Sequence, residues 1–164
     1  MRPVRSAPEL YAHAIAIERE AAERYVELAR HMADLGNDKV ASVLAALGAM
    51  EAEHLDTLQR RTEGIAIAEF PLDEYRWLDA GAPETAAREL VFRLMTPHAA
   101  LEIALAAEKR ARAFFEDVYR TADDPALRAL AQEMAMEEKE HVAIVERMLA
   151  RTADPNVDWA ALYR

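Results

Sequence analysis

Two Glu-x-x-His tetrads stand far apart in the chain, Glu51–His54 in "EAEH" and Glu138–His141 in "EKEH". On a helix, residues three apart share a side, so each tetrad can aim a carboxylate oxygen and an imidazole nitrogen at one point. Both tetrads lie on apolar stripes. Glu51 has Leu44, Leu47, Leu55 and Leu58 at helical spacing, and Glu138 has Ala131, Met134, Ala135, Val142 and Val145. Glu18 is set the same way among Tyr11, Ala14, Ile15, Ala21, Ala22 and Tyr25, and Glu108 among Leu101, Ala104, Leu105, Ala111 and Phe115. A carboxylate turned into a core is costly unless positive charge answers it. No Lys or Arg occupies the centre of these stripes, although Arg112 skirts one. Two divalent cations balance four carboxylates and two neutral imidazoles. Mixed oxygen and imidazole donors suit iron or manganese, and zinc less specifically. One Glu from each of two helices, with Glu-x-x-His from each of two others, is the donor set of di-metal carboxylate bundles.

The six residues recur in two halves. Displacing the chain by 87 residues lays Leu47, Glu51, His54, Leu55 and Leu58 on Met134, Glu138, His141, Val142 and Val145. Displacing it by 90 lays Ala14, Ile15, Glu18, Ala21 and Tyr25 on Ala104, Leu105, Glu108, Ala111 and Phe115. The repeat selects Glu138 over its neighbour Glu137, because Met50 stands opposite Glu137. Tyr25, two turns after Glu18, is placed to hydrogen-bond a ligand carboxylate, whereas its repeat partner Phe115 has no hydroxyl. Glu102 falls on another face and reads as surface. His13, His31 and His98 have no Glu three residues earlier and read as helix-end or surface residues. Met32, Met50, Met134 and Met148 read as core filler.

Four helical patterns must position this set. They run from about Ser6 to Met32, Asp38 to Arg61, Thr96 to Arg120, and Pro125 to Arg151. Ser6 and Thr96 are cap residues, and Pro8, Pro97 and Pro125 fall in first turns, where a missing N–H is harmless. Gly36-Asn37-Asp38 and "TADDP" are short connections. Residues 62–95 form a long one, with a short helix expected from Pro83 to Met95. A short amphipathic turn containing Trp159 is expected in the tail. Two antiparallel helix pairs joined by a long crossover make an all-α four-helix bundle, expected to be a single domain over residues 1–164.

Composition agrees. The 164 residues are 52% hydrophobic and 30% charged, with 4 Gly and 7 Pro. A net charge of −10 argues against nucleic acid or an anionic membrane as partner. The absence of cysteine excludes thiolate metal sites and disulfides, and is compatible with the cytoplasm, the expected location. Neither a signal peptide nor a membrane-spanning run is visible.

The segments "EREAAERY" (Glu18 to Tyr25), "EAEH" (Glu51 to His54), "EKRARAFF" (Glu108 to Phe115) and "EKEH" (Glu138 to His141) resemble the rubrerythrin-like branch of the ferritin-like di-iron superfamily. The resemblance covers all four helices. It implies a ferritin-like bundle holding two iron ions per chain, with Glu18, Glu51, His54, Glu108, Glu138 and His141 as ligands. It further implies Glu51 and Glu138 as bridges. Full-length rubrerythrins add a rubredoxin domain with cysteine-bound iron. This chain has no cysteine, so its electrons would come from an external donor. They also carry an extra glutamate one turn from the third-helix ligand, where this chain has Ala104, Leu105, Ala111 and Arg112. The expected function is a binuclear iron oxidoreductase using hydrogen peroxide or dioxygen. The alternatives are a ferroxidase serving iron sequestration and a non-catalytic, metal-stabilised interaction bundle. Ile65, Ile67, Phe70, Tyr75 and Trp77 make the crossover apolar, so a homodimer with this segment near its interface is expected, as in rubrerythrin-like relatives.

Overall fold

The computed structural model describes residues 4–67 and 95–153. They form four helices: α1 Ala7–Asp34, α2 Asp38–Arg61, α3 Pro97–Thr121 and α4 Pro125–Ala150. No strand occurs among the described residues. The short helix expected from Pro83, the aromatic residues Phe70, Tyr75 and Trp77, and the tail with Trp159 lie outside them.

The helix starts follow from their caps. Ser6 Oγ accepts from the Glu9 N–H at 3.3 Å and Thr96 Oγ1 from the Ala99 N–H at 3.1 Å. Asn37 Oδ1 accepts from the Val40 N–H at 3.4 Å, and Asp124 Oδ1 from the Ala126 N–H at 3.0 Å. Each satisfies an N–H that the helix itself leaves without a partner. Helix α1 runs two residues past the expected Met32. It ends in a Schellman motif, in which Asn37 N–H donates to the Met32 carbonyl at 2.8 Å and Gly36 N–H to that of Ala33 at 2.9 Å. Gly36 supplies the φ of 73° this motif requires.

The core falls into two clusters, which reveal the topology. One joins the start of α1 (Leu10, Ala14), the end of α2 (Leu58), the end of α3 (Phe114, Phe115, Val118) and the start of α4 (Leu127, Met134). The other joins the end of α1 (Tyr25, Met32), the start of α2 (Val40, Leu44), the start of α3 (Leu101, Ala104) and the end of α4 (Val145). Helices α1 and α4 therefore run one way, and α2 and α3 the other. The main packing is α1 on α2 and α3 on α4, with lighter contacts of α2 on α3 and α1 on α4. Helix α2 finishes at the first cluster, where Ile67 also packs, while Met95 packs at the second. The long connection thus joins opposite ends of a bundle whose 24-residue α2 is about 36 Å long. Asn37 Nδ2 donates to the Met95 carbonyl at 2.7 Å, tying the α1–α2 connection to the entry of α3.

Gly48 lets α1 and α2 approach closely. A Cβ there would lie 3.2 Å from Val26 Cγ2, 3.3 Å from Tyr25 Cβ and 3.4 Å from the Ala22 carbonyl oxygen. The close approach sets the position of Tyr25.

Candidate metal centre

A polar layer divides the two apolar clusters. Glu18, Glu51, Glu108 and Glu138 are only 7%, 2%, 4% and 2% exposed, and His141 is 1% exposed. Each projects from the apolar stripe of its own helix, so all four helices contribute one carboxylate. His54 is half-buried.

The donor atoms converge in two groups. Glu18, Glu51, His54 and His141 each offer one atom within 4.8 Å of the others, as do Glu108, Glu138 and His141. His141 belongs to both. Its Nδ1 lies 3.4 Å from a Glu108 oxygen, 3.6 Å from a Glu138 oxygen and 3.8 Å from a Glu51 oxygen. The His54 and His141 rings are stacked at 4.1 Å, so the two tetrads of the repeat meet face to face.

Tyr25 enters this layer from α1. Its hydroxyl donates to Glu108 Oε1 at 3.1 Å, reaching the carboxylate of the diagonally opposite helix rather than Glu18 on its own. Burial and the adjacent Glu108 charge push the Tyr25 hydroxyl far above its ordinary range, so it remains a donor.

Electrostatics show how costly the layer is without a cation. Burial pushes the Glu18 carboxyl up to about 8 and that of Glu51 up to about 10. The proximity of the two carboxyls lowers the first somewhat and raises the second further. Glu138 is raised well above its ordinary value by burial and then by the charges of Glu108 and Glu51. Burial pulls His141 down, but the close Glu108 and Glu51 carboxylates outweigh it and leave it raised. Burial and the neighbouring His141 lower His54.

The residues fit a pair of cations. Glu18 Oε2, Glu51 Oε1, Glu138 Oε2 and both ring nitrogens of His141 are buried without a hydrogen-bond partner. Buried polar atoms left so cost about 1–3 kcal/mol each. These five atoms lie in one layer and are all of types that ligate divalent metals, so a cation is the group that would satisfy them together.

The neighbouring acids are placed differently. Glu137 is exposed and lies 3.9 Å from Arg61, whose guanidinium also bonds Glu133 at 2.6 Å. Glu102 is exposed near His98. Ala104 and Ala111 are buried one turn from Glu108, and Arg112 pairs with Glu116 at 2.7 Å, so no further α3 carboxylate joins the layer. Met32 and Met134 are core residues, and Met50 and Met148 pack against the core. One expectation is corrected: His13 is not a helix-end or surface residue but 6% exposed, its ring 5.1 Å from that of Phe114. In α1, Ala12, His13, Ala14 and Ile15 are all buried, so a stripe criterion misplaces the polar member of that run.

Fold and site together define a class: a ferritin-like four-helix bundle with a buried carboxylate–histidine layer at mid-length. The Rubrerythrin family model matches residues 99–159, which include Glu108, Glu138 and His141. The crystal structure of an uncharacterized conserved protein from Magnetospirillum magnetotacticum superposes with a TM-score of 0.74. It is 31% identical, and the match covers 93% of this chain and 99% of that one. No curated protein matches the chain. This chain belongs to the rubrerythrin-like family.

Proposed function

We propose that the chain is a binuclear iron protein that reduces hydrogen peroxide or dioxygen at the polar layer. One observation carries the reading: four carboxylates and His141, all buried, converge from four helices and leave five donor atoms unsatisfied. Glu18 and His54 would hold one ion and Glu108 and His141 the other, with Glu51 and Glu138 bridging. A ferrous pair supplies two electrons, enough with two protons to reduce one peroxide to two waters.

The chain's own residues do the rest. The carboxylates offset the cationic charge, and metal binding displaces protons from Glu18 and Glu51, whose carboxyls are pushed up to about 8 and about 10 in the metal-free protein. Tyr25 holds the Glu108 carboxylate in place. The apolar clusters on either side exclude water from the layer. Electrons return from an external donor, and the active form is a homodimer.

Stopped-flow mixing of the anaerobically reconstituted ferrous protein with peroxide and with oxygen tests the reading. Rapid oxidation, with turnover when a reductant is added, supports it. Metal bound but inert toward both oxidants would leave only a metal-stabilised bundle. Ferrous oxidation accompanied by assembly into a closed shell would point to iron sequestration. Among the described residues no helix is long and apolar enough to cross a membrane.

A further inference from the structure

We infer that the two halves of the centre hold divalent cations with unequal tenacity, the Glu108–Glu138–His141 half retaining its ion and the Glu18–Glu51–His54 half exchanging its ion with solvent. The inference rests on the di-metal reading above and adds a distinction that the internal repeat hides. By sequence the six ligand positions of the two halves are matched.

The folded chain breaks the match in two independent ways. The first is access. His141 is 1% exposed, whereas His54, its partner in the repeat, is only half-buried. Among the described residues His54 is thus partly open to solvent, whereas His141 is closed off by the helices around it. The second is anchoring. Tyr25 fixes Glu108 Oε1 at 3.1 Å and leaves Oε2 facing His141 Nδ1 at 3.4 Å. Glu138 and Glu51 offer oxygens to the same nitrogen at 3.6 Å and 3.8 Å, and it is Glu108 that a hydroxyl from outside the ligand set holds in place. The hydroxyl has no counterpart in the other half, because Phe115 occupies the repeat position of Tyr25.

Tyr25 is thus a positioning residue that acts on one ion through Glu108. Hydrogen-bond partners of metal ligands are commonly worth about 10- to 100-fold in metal affinity. Burial slows release further, since a chelator must wait for the helices to open.

The test uses cobalt(II), whose d–d bands report each bound ion without any turnover. The full-length protein is loaded anaerobically to saturation and mixed with excess EDTA, and the band decay is followed. Two phases of equal amplitude are expected, separated by at least about tenfold in rate. Tyr25→Phe should accelerate the slow phase by about 10- to 100-fold and leave the fast one unchanged. His54→Ala should abolish the fast phase and keep one slowly released ion. Circular dichroism checks each variant's fold, and if Tyr25→Phe fails to fold, the His54→Ala result decides alone. Two ions leaving the parent in one phase would overturn the inequality while leaving the di-metal reading intact. The same holds if Tyr25→Phe changes only the fast phase, or if His54→Ala keeps the fast phase and loses the slow one. Failure to bind cobalt at all would sink the di-metal reading itself.

Discussion

Freed of metal, the protein should become less stable as pH rises from 4.5 to 8, opposite to ordinary acid denaturation. Glu18 shows the size of the effect. Its carboxyl lies near 4.5 when unfolded and is pushed up to about 8 in the folded chain, mainly by burial. A folded value above the unfolded one means that the native state holds the proton longer. Its stabilising contribution is complete below pH 4.5 and is lost as pH climbs through about 8. Between pH 4.5 and 7 the loss from this group alone is about 3 kcal/mol, at 1.36 kcal/mol per pH unit. For a domain of this size that is roughly 6–12 °C in melting temperature. Glu51, Glu138 and His141 are raised as well and act in the same direction. His54 is lowered and opposes them, its contribution being present above pH 6.5 and lost on acidification through its folded value. Thermal melts of the chelator-treated protein at pH 5, 6, 7 and 8 measure the sum, and Glu18→Gln isolates one member. The amide cannot ionise, so apo Glu18→Gln should match the parent near pH 4.5 and exceed it by about 3 kcal/mol at pH 7. The metal-loaded parent should behave oppositely, because its ligands bind as the deprotonated forms. Apo melts that are flat or rising over this range, with Glu18→Gln parallel to the parent, would refute the burial of ionisable carboxylates on which the account rests.

Other substitutions probe separate parts of the structure. Glu138→Ala should lose at least one metal and all peroxide or oxygen reactivity, whereas Glu137→Ala, beside Arg61 at the surface, should keep both metals and most activity; metal content and ferrous oxidation rates distinguish them. Gly48→Ala should gain about 1 kcal/mol of helix propensity and lose about 1–3 kcal/mol to crowding against Tyr25 and Ala22, for a small net destabilisation by urea denaturation. Thr96→Ala removes the cap at the start of α3 and should cost about 1 kcal/mol in the same assay. Light scattering at micromolar concentration should show a dimer, and a monomer would remove the proposed assembly.

Much of the site was legible because its signal is a conflict between chemistry and periodicity. A glutamate on an apolar stripe contradicts its surroundings, and Glu18, Glu51, Glu108 and Glu138 all turned out buried in one layer. The caps at Ser6 and Thr96 were legible for a related reason, since local hydrogen bonds are specified by neighbouring residues. What escaped depends on packing between elements distant in sequence. The sequence leaves Tyr25 open between a core tyrosine and a partner for a ligand carboxylate, and carries no sign of Glu108, 83 residues away on the diagonal helix. His13 has the spacing of an unremarkable residue, yet it is buried beside Phe114. The unequal exposure of His54 and His141 was hidden by the repeat, because equal stripes do not ensure equal cover. Gly48 carried no turn signal, and its role emerges only from how closely α1 approaches it.

The most direct test is anomalous diffraction at the iron absorption edge from crystals of the protein reconstituted anaerobically with ferrous iron. The account predicts two peaks per chain in the polar layer, bridged by Glu51 and Glu138, with Glu18 and His54 on one ion and Glu108 and His141 on the other. A layer with no anomalous density at saturating iron, or iron held only by surface acids such as Glu137, would contradict it.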